Sequence, residues 1–225
     1  MSGKTLSVVF YRHGESAANA GQATTDPASI PLTDVGSRQA EAIARAFIQT
    51  PDLVVSSPFL RARQTAEPTS VITGVPIQIW PIEEFTYLAP QRCQGTTAAQ
   101  RRSWVEAYWD ASNPDAVDGD GAESFIAFTD RVRAALGRLE QLHRESASFV
   151  AVFGHGQFLQ ALQWLIETSL HSIDATAMRQ FRTRDLARPI ANGSSFTAVF
   201  DGKRWAPCEN PPHARDDRPE PRSAK

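Results

Sequence analysis

An apolar run of β-branched and aromatic residues near the start of the chain ends abruptly at a cation and an imidazole. Residues 8–11, Val-Val-Phe-Tyr, are followed by Arg12, His13 and Gly14. Such a run is typical of a strand that is buried on both faces of a parallel sheet. Ligands of such sheets collect outside the carboxyl ends of the strands. We therefore expect Arg12 and His13 to lie at the sheet edge where chemistry takes place.

The order of apolar run, polar turn and helix recurs along the chain. Residues 53–55 precede a turn at 56–58 and a helix that carries Arg61 near its start, and residues 149–153 precede His155, which stands between two glycines. A helix N-terminus favours anions, and a guanidinium beside it strengthens that preference. This repetition predicts an α/β protein, which we expect to be a three-layer α/β/α sandwich with a mostly parallel central sheet.

Two carboxylates follow another strand candidate at residues 75–80. Glu83 and Glu84 lie a few residues beyond its end. Paired carboxylates at a strand end are candidates for general acid and base work, although either one alone is equally well explained as a solvated loop acid. The residues by themselves leave open which of the two has a chemical role.

Residues 86–120 form a long connection, and long connections in compact domains usually act as covers or mobile loops. We expect a cap-like inserted segment here. Its cations Arg92, Arg101 and Arg102 either bind a second anionic group of a substrate or form a solvated surface.

The chain is expected to form a single domain. Residues 194–200 alternate in polarity and predict a last strand at the edge of the sheet. From Pro207 the composition shifts to Pro, Arg, Asp and Glu, which cannot bury a core. We therefore assign the domain to residues 1–206 and expect residues 207–225 to be disordered.

Charge and composition exclude several classes of protein. The net charge is −2 over 225 residues, which gives no sign of a general affinity for nucleic acid or an anionic membrane. Two cysteines do not make a disulfide framework, and no segment is apolar for long enough to span a bilayer. A cytoplasmic location is the default expectation, and the oligomeric state is not predicted.

The strand ends together supply two imidazoles, two guanidiniums and a carboxyl group. The chain lacks a phosphate-binding Gly-x4-Gly-Lys-Ser/Thr motif and the His-Glu-x-x-His spacing of a zinc site, so no cofactor and no metal are predicted. Guanidinium groups match phosphate oxygens, and a neutral histidine is a competent nucleophile near neutral pH. This set of groups is suited to phosphoryl transfer.

Four short motifs occur in the order typical of one protein family. They are Arg12-His13-Gly14-Glu15-Ser16 with Asn19, Leu32-Thr33 with Gly36 and Ala40, Ser56-Ser57-Pro58 with Arg61-Ala62 and Gln64-Thr65-Ala66, and Gly154-His155-Gly156. In these residues the chain resembles the histidine phosphatase superfamily, also called the phosphoglycerate mutase-like family.

The resemblance implies a role for each residue of the strand-end set. His13 would be the nucleophile that becomes phosphohistidine. Arg12, Arg61 and a protonated His155 would hold the phosphoryl oxygens. Glu84 would protonate the leaving oxygen and then activate water.

The resemblance also implies contacts with the substrate. Ser16 and Asn19 match positions that often touch substrate in the family, and Gly156 lets a ligand approach the backbone closely. Gln157 replaces the small or apolar residue that is usual there, yet its amide N–H could face the phosphate. Glu83 stays an alternative acid, because the glycine that usually follows the family's acid is absent here.

The function expected from the resemblance is metal-independent hydrolysis of a small phosphate monoester. A phosphoglycerate mutase is the alternative among enzymes, although the basic pair Arg101-Arg102 lies too near Glu84 and no proline-rich insert follows. A catalytically silent binding or regulatory protein is the alternative from another class, and the intact set of strand-end groups argues against it.

Overall fold

The apolar runs of the sequence form the middle of one six-stranded sheet. The structure is a computed structural model, and it describes residues 4–209. The strands in chain order are β1 (Leu6–Arg12), β2 (Leu53–Ser56), β3 (Ile77–Ile79), β4 (Phe149–Gly154), β5 (Ser195–Phe200) and β6 (Trp205–Cys208). Across the sheet their order is β3-β2-β4-β1-β5-β6.

The register of the parallel strands brings their carboxyl ends to one edge. β1 and β2 both pair with β4 in parallel, and β3 pairs with β2 in parallel. Arg12 lies opposite Gly154, and Ser56 lies opposite Phe153. The residues that follow β1, β2 and β4 therefore meet in space, although they are far apart in the chain.

Helices cover both faces of the sheet. They are α1 (Asp34–Ala46), α2 (Leu60–Thr73), α3 (Pro90–Cys93), α4 (Arg102–Ala111), α5 (Phe125–Arg144), α6 (Gly156–Thr168) and α7 (Ala175–Ala187). Val9 and Tyr11 of β1 pack with residues of α1 and α2. Val8 and Phe10, which point to the opposite face, pack with residues of α5, α6 and α7. The predicted three-layer α/β/α sandwich with a mostly parallel sheet is confirmed.

The long insert packs on the second of these layers. Trp109 of α4 is buried in the core, and Tyr87 and Tyr108 pack against that core. These three aromatic side chains surround Phe85, with ring centroids 5.2–6.1 Å from it. The insert is thereby fixed beside the sheet edge at which the parallel strands end.

The end of the domain differs from the prediction. β5 is not an edge strand, because β6 pairs with it in an antiparallel hairpin. β6 runs through Pro207 and Cys208, which were assigned to the tail. Trp205 holds β6 against the domain, because its ring packs on Phe200 and its Nε1 donates to Glu140 of α5. Residues 210–225 of the predicted tail lie outside the described residues.

No helix within residues 4–209 is long and apolar enough to cross a membrane.

Candidate active site

Five polar side chains from four strand ends converge at the edge of the sheet. We call Arg12, His13, Arg61, Glu84 and His155 the strand-end cluster. Four of them line one cavity, and His155 lies behind His13 with ring centroids 5.2 Å apart. The convergence predicted from the sequence is therefore present in the structure.

The hydrogen bonds of His13 define which ring nitrogen is free of a proton. Nδ1 lies 2.7 Å from the carbonyl oxygen of Gly14, and Nε2 accepts a hydrogen bond of 3.1 Å from Nε of Arg61. Nδ1 therefore carries the proton. Burial, and then the charge of Arg61, hold the pKa of His13 well below its usual range. The imidazole is neutral, with the basic Nε2 directed at a guanidinium, as a nucleophile requires.

The backbone around His13 is fixed by two glycines that touch. A Cβ on Gly14 would lie 2.5 Å from the carbonyl oxygen of Gly36 at the start of α1, and a Cβ on Gly36 would lie 2.1 Å from the carbonyl oxygen of Glu15. The amide of Gly14 donates to Oγ1 of Thr65 in α2. The turn that carries His13 is thus held against two helices, and no larger residue fits at either glycine.

Asn192 also holds this turn, and the sequence analysis missed it. Its Nδ2 donates to the carbonyl oxygen of His13 at 3.0 Å and to Oδ1 of Asn19 at 3.1 Å. The signal is absent from the local sequence, because Asn192 lies in the loop before β5, 179 residues from His13.

The two arginines of the strand-end cluster are anchored by main-chain carbonyls. Arg12 Nη1 donates to the carbonyl oxygen of Ile190, and Arg61 Nη1 donates to that of Pro27. Nε of Arg12 is buried and lacks a partner among the described residues. Burial lowers the pKa of Arg61 to about 10, against the charge of Glu84, so this guanidinium is still charged at neutral pH. An unpaired buried donor on one guanidinium, with a second guanidinium nearby, is suited to an anion.

His155 is wholly buried and is neutral in this structure. Its Nε2 lies 2.8 Å from Oγ of Ser57, while Nδ1 has no partner among the described residues. Burial lowers its pKa well below the usual range, and the charge of Arg61 adds to this. The protonated His155 that the resemblance implies stays a prediction for the protein with a phosphoryl group bound. An anion beside the ring would raise its pKa.

The structure separates the two candidate carboxylates. Glu84 lines the cavity, and its Oε1 accepts the backbone N–H groups of Gln157 and Phe158 at the start of α6, at 2.9 and 3.2 Å. Burial raises the pKa of Glu84 above its usual value, although Arg12 and Arg61 oppose the rise. A carboxyl group with a raised pKa can supply a proton.

Glu83 does not line the cavity. It forms an ion pair of 3.4 Å with Arg131 of α5. Arg131 also donates to the main-chain carbonyl of Glu83 at 2.9 Å and pairs with Glu123 at 2.5 Å. These contacts fasten the segment that presents Glu84.

Of the four substrate contacts expected at the strand ends, two belong to residues that line the cavity. Ser16 and Asn19 line the cavity, and Ser16 Oγ donates to Asn19 Oδ1 at 2.8 Å. The missing side chain of Gly156 leaves room for the guanidinium of Arg12, because a Cβ at this position would lie 3.3 Å from Arg12 Nε. The expectation for Gln157 is wrong, because its amide N–H donates to Glu84 and its side chain donates to Asp185.

Of the three cations in the insert, the cavity includes only Arg101. Arg92 lies over the ring of Trp104 at 4.4 Å and pairs with Asp118 at 2.7 Å. Arg102 is exposed and does not line the cavity. Of the two alternatives for these cations, the solvated surface fits Arg92 and Arg102, while Arg101 lies at the cavity.

The cavity has a volume of about 250 Å³. Beyond the strand-end cluster, Ser16 and Asn19, its lining is mainly apolar: Ala18, Thr24, Thr25, Pro27, Ile30, Phe59, Phe85, Thr86, Tyr87, Leu88, Pro90, Cys93, Arg101 and Val105. Within residues 4–209, no group of three or more His, Cys, Asp and Glu side chains is placed to hold a metal ion.

Comparison with known families decides the assignment. The model of the histidine phosphatase superfamily (branch 1) matches residues 8–201. The chain belongs to the histidine phosphatase superfamily. The match includes the whole strand-end cluster and confirms the resemblance seen in the sequence. A comparison with curated proteins found no significant match.

Solved structures show the same fold at low sequence identity. The mycobacterial glucosyl-3-phosphoglycerate phosphatase has a TM-score of 0.68 and 22% identity, over 91% of this chain and 97% of that one. The alpha-ribazole phosphatase from Shigella flexneri has a TM-score of 0.65 and 22% identity, over 86% and 90%. The phosphoserine phosphatase from Entamoeba histolytica has a TM-score of 0.67 and 17% identity, over 90% and 94%. At this identity, the comparison establishes the shared fold.

Proposed function

We propose that the protein hydrolyses a phosphate monoester through a phosphohistidine on His13, without a metal ion. The observation that carries this proposal is the state of His13, whose Nδ1 bonds to Gly14 and whose basic Nε2 lies 3.1 Å from Nε of Arg61. A bound phosphoryl group would take the place of that hydrogen bond. Nε2 would then face phosphorus while the guanidinium bonds to a phosphoryl oxygen.

The first step forms a bond between His13 Nε2 and phosphorus and breaks the bond between phosphorus and the ester oxygen. Glu84 gives its proton to that oxygen, and the alcohol leaves. Arg12, Arg61 and His155 surround the phosphoryl oxygens and stabilise the negative charge that they carry.

The second step returns the enzyme to its starting state. A water molecule attacks phosphorus and gives its proton to Glu84, while the bond to His13 Nε2 breaks. The products are inorganic phosphate, neutral His13 and protonated Glu84, so no co-reactant other than water is consumed.

The experiment measures phosphate release from 4-nitrophenyl phosphate by the purified protein in the presence of EDTA. We expect turnover by the wild type and a loss of roughly three orders of magnitude in His13→Gln. His171→Gln is the matched control, because His171 is exposed and does not line the cavity. It should retain wild-type activity. After an alkaline quench during turnover, phosphate should be found on the peptide that contains His13.

Three results would contradict the proposal. A strict requirement for a divalent metal would exclude the mechanism, and full activity of His13→Gln would exclude the nucleophile. Transfer of the phosphoryl group to a second phosphoglycerate in preference to water would identify a mutase instead.

A further inference from the structure

The part of the cavity that lies beyond the strand-end cluster has an apolar wall. We define this wall as Ile30, Phe85, Tyr87, Leu88 and Val105, all of which line the cavity. Ile30, Phe85 and Leu88 are less than a tenth exposed. The space that a leaving group would occupy is therefore bounded by hydrocarbon and aromatic surface.

The wall is held in place from behind by the core. Phe85 stacks on Phe128 of α5 with ring centroids 4.3 Å apart, and Tyr87 packs on Tyr108 of α4 at 4.9 Å. Val105 also packs against the main core cluster. A wall that is already ordered costs little further entropy when a ligand binds.

Few charges face this space. Among the described residues that line the cavity, Glu84 is the one carboxylate, and it belongs to the strand-end cluster. Outside that cluster, the lining from residues 4–209 includes one cation, Arg101, whose Nη1 already donates to the carbonyl oxygen and Oγ1 of Thr96, each at 3.0 Å. A charged group on the leaving molecule would lose water here, and Arg101 is already bonded to Thr96 through Nη1, so burying that charge is costly.

The volume limits the size of the substrate. The cavity holds about 250 Å³, which is below the roughly 300–1,000 Å³ of sites for drug-sized ligands. The phosphoryl group takes part of this space. What remains suits a single ring or a short alkyl chain.

We propose that the apolar wall binds an uncharged, apolar leaving group, so that the substrates are small aryl, arylalkyl or alkyl phosphate monoesters. This inference rests on the proposed phosphatase function. It differs from what two of the printed names of the structural neighbours describe, since a phosphoglycerate and a phosphoserine carry charged leaving groups.

The first experiment compares kcat/KM for benzyl phosphate, glycerol 1-phosphate and O-phosphoserine. All three esters release a primary alcohol, so differences in binding dominate over differences in chemical reactivity. We expect kcat/KM for benzyl phosphate to exceed the other two by roughly tenfold or more. An equal or higher value for glycerol 1-phosphate or phosphoserine would overturn the inference.

A matched pair of variants tests the wall itself. Val105→Thr keeps the shape of the side chain and adds a hydroxyl to the wall, and we expect it to lower kcat/KM for benzyl phosphate by roughly fivefold with little change for glycerol 1-phosphate. Val117→Thr makes the same change at an exposed position outside the cavity and should change neither. Equal effects of both variants, or no effect of Val105→Thr, would contradict the role of the wall.

A binding measurement separates this inference from the proposed function. Benzylphosphonate and methylphosphonate cannot be hydrolysed, and calorimetry gives their affinities whether or not the protein has turnover. We expect benzylphosphonate to bind roughly tenfold more tightly. If no ester is hydrolysed but this preference holds, the phosphatase proposal fails and the apolar site stands. If esters are hydrolysed but the preference is absent, the apolar site fails alone.

Discussion

Burial acts on His13 and Glu84 in opposite chemical directions. Burial disfavours the charged form of each group. It therefore lowers the pKa of His13, which is charged when protonated, and raises the pKa of Glu84, which is charged when deprotonated. Both groups line the same cavity. Titratable groups in one site with environments of this kind are suited to the roles of nucleophile and general acid.

The pH dependence of kcat/KM follows from these directions. The pKa of His13 lies below its usual value of 6.5, so the loss of activity towards acid begins below that pH. The pKa of Glu84 lies above its usual value of 4.5, so its proton is lost at a higher pH than that of an ordinary glutamate. We expect a bell-shaped profile whose acidic limb reports His13 and whose alkaline limb reports Glu84.

A pair of variants assigns the high-pH limb of this profile. Glu84→Gln should abolish the limb and lower kcat/KM for esters with poor leaving groups by roughly 10²–10⁴. Glu83→Gln is the matched control and should preserve the profile, because Glu83 pairs with Arg131 and does not line the cavity. If Glu83→Gln removed the limb and Glu84→Gln kept it, the acid would be Glu83.

Sequence patterns could predict those residues of the candidate site that directly follow apolar strands. Arg12, His13 and His155 belong to this group, and Arg61 follows within a turn and the start of a helix. The partners of these residues were not predictable in the same way. Asn192 acts through a contact across 179 positions, for which the local pattern holds no signal.

Protonation and side-chain direction depend on neighbours that the local sequence does not show. The state of His155 depends on its burial and on the charges of its neighbours in space. The amide of Gln157 bonds to Glu84, because the carboxylate occupies the N-terminus of α6 at which an anion was expected. Neither feature can be read without the tertiary structure.

At the scale of elements, the turn after β1 and the start of α1 cross so closely that only glycine fits at the contact. Gly14 and Gly36 touch through their backbones, and the atoms that a new Cβ would meet are backbone atoms. A backbone cannot give way as a flexible side chain does. The position of His13 therefore depends on this crossing.

The crossing gives a prediction about stability. Gly36→Ala should lower the free energy of unfolding by at least about 1–3 kcal/mol, because its Cβ would lie 2.1 Å from the carbonyl oxygen of Glu15. Gly137→Ala is the control, since a Cβ there meets nothing within 4 Å in the middle of α5. It should raise stability by about 0.5–1 kcal/mol through helix propensity. Urea unfolding measures both, and a wild-type stability of Gly36→Ala would contradict the account.

Local sequence patterns were sufficient to predict the buried strands but not the last edge strand. β1, β2 and β4 were predicted because strands buried on both faces are continuous apolar runs. β6 was missed because Pro207 and Cys208 stand at the start of a polar tail, and their order comes from pairing with β5 and from the packing of Trp205. An edge strand tolerates proline, whose missing N–H can face away from the ladder.

At the scale of the whole molecule, the parallel pairing of β1 with β4 brings His13 and His155 together. The register places Arg12 opposite Gly154, so the next residue of each strand faces the same space. General rules for parallel sheets predict this meeting at one edge. They do not predict which charges of the insert reach it, and Arg101 lines the cavity while Arg92 and Arg102 remain outside.

The arrangement of the whole domain supports a two-step transfer of the phosphoryl group. The proposed nucleophile, cations and acid lie at one sheet edge, and residues of the insert contribute to the cavity wall. Direct attack by water would not require His13 Nε2 to be free of a proton and directed at a guanidinium. The central claim is therefore that the phosphoryl group passes through a covalent bond to His13.

The stereochemical course at phosphorus tests this claim most directly. A phosphate monoester made chiral at phosphorus with oxygen isotopes and sulfur can be hydrolysed in isotopically labelled water, and the configuration of the released thiophosphate is then determined. Each in-line displacement inverts phosphorus, so two successive displacements through phosphohistidine predict overall retention. Inversion would show a single direct attack by water and would contradict the account.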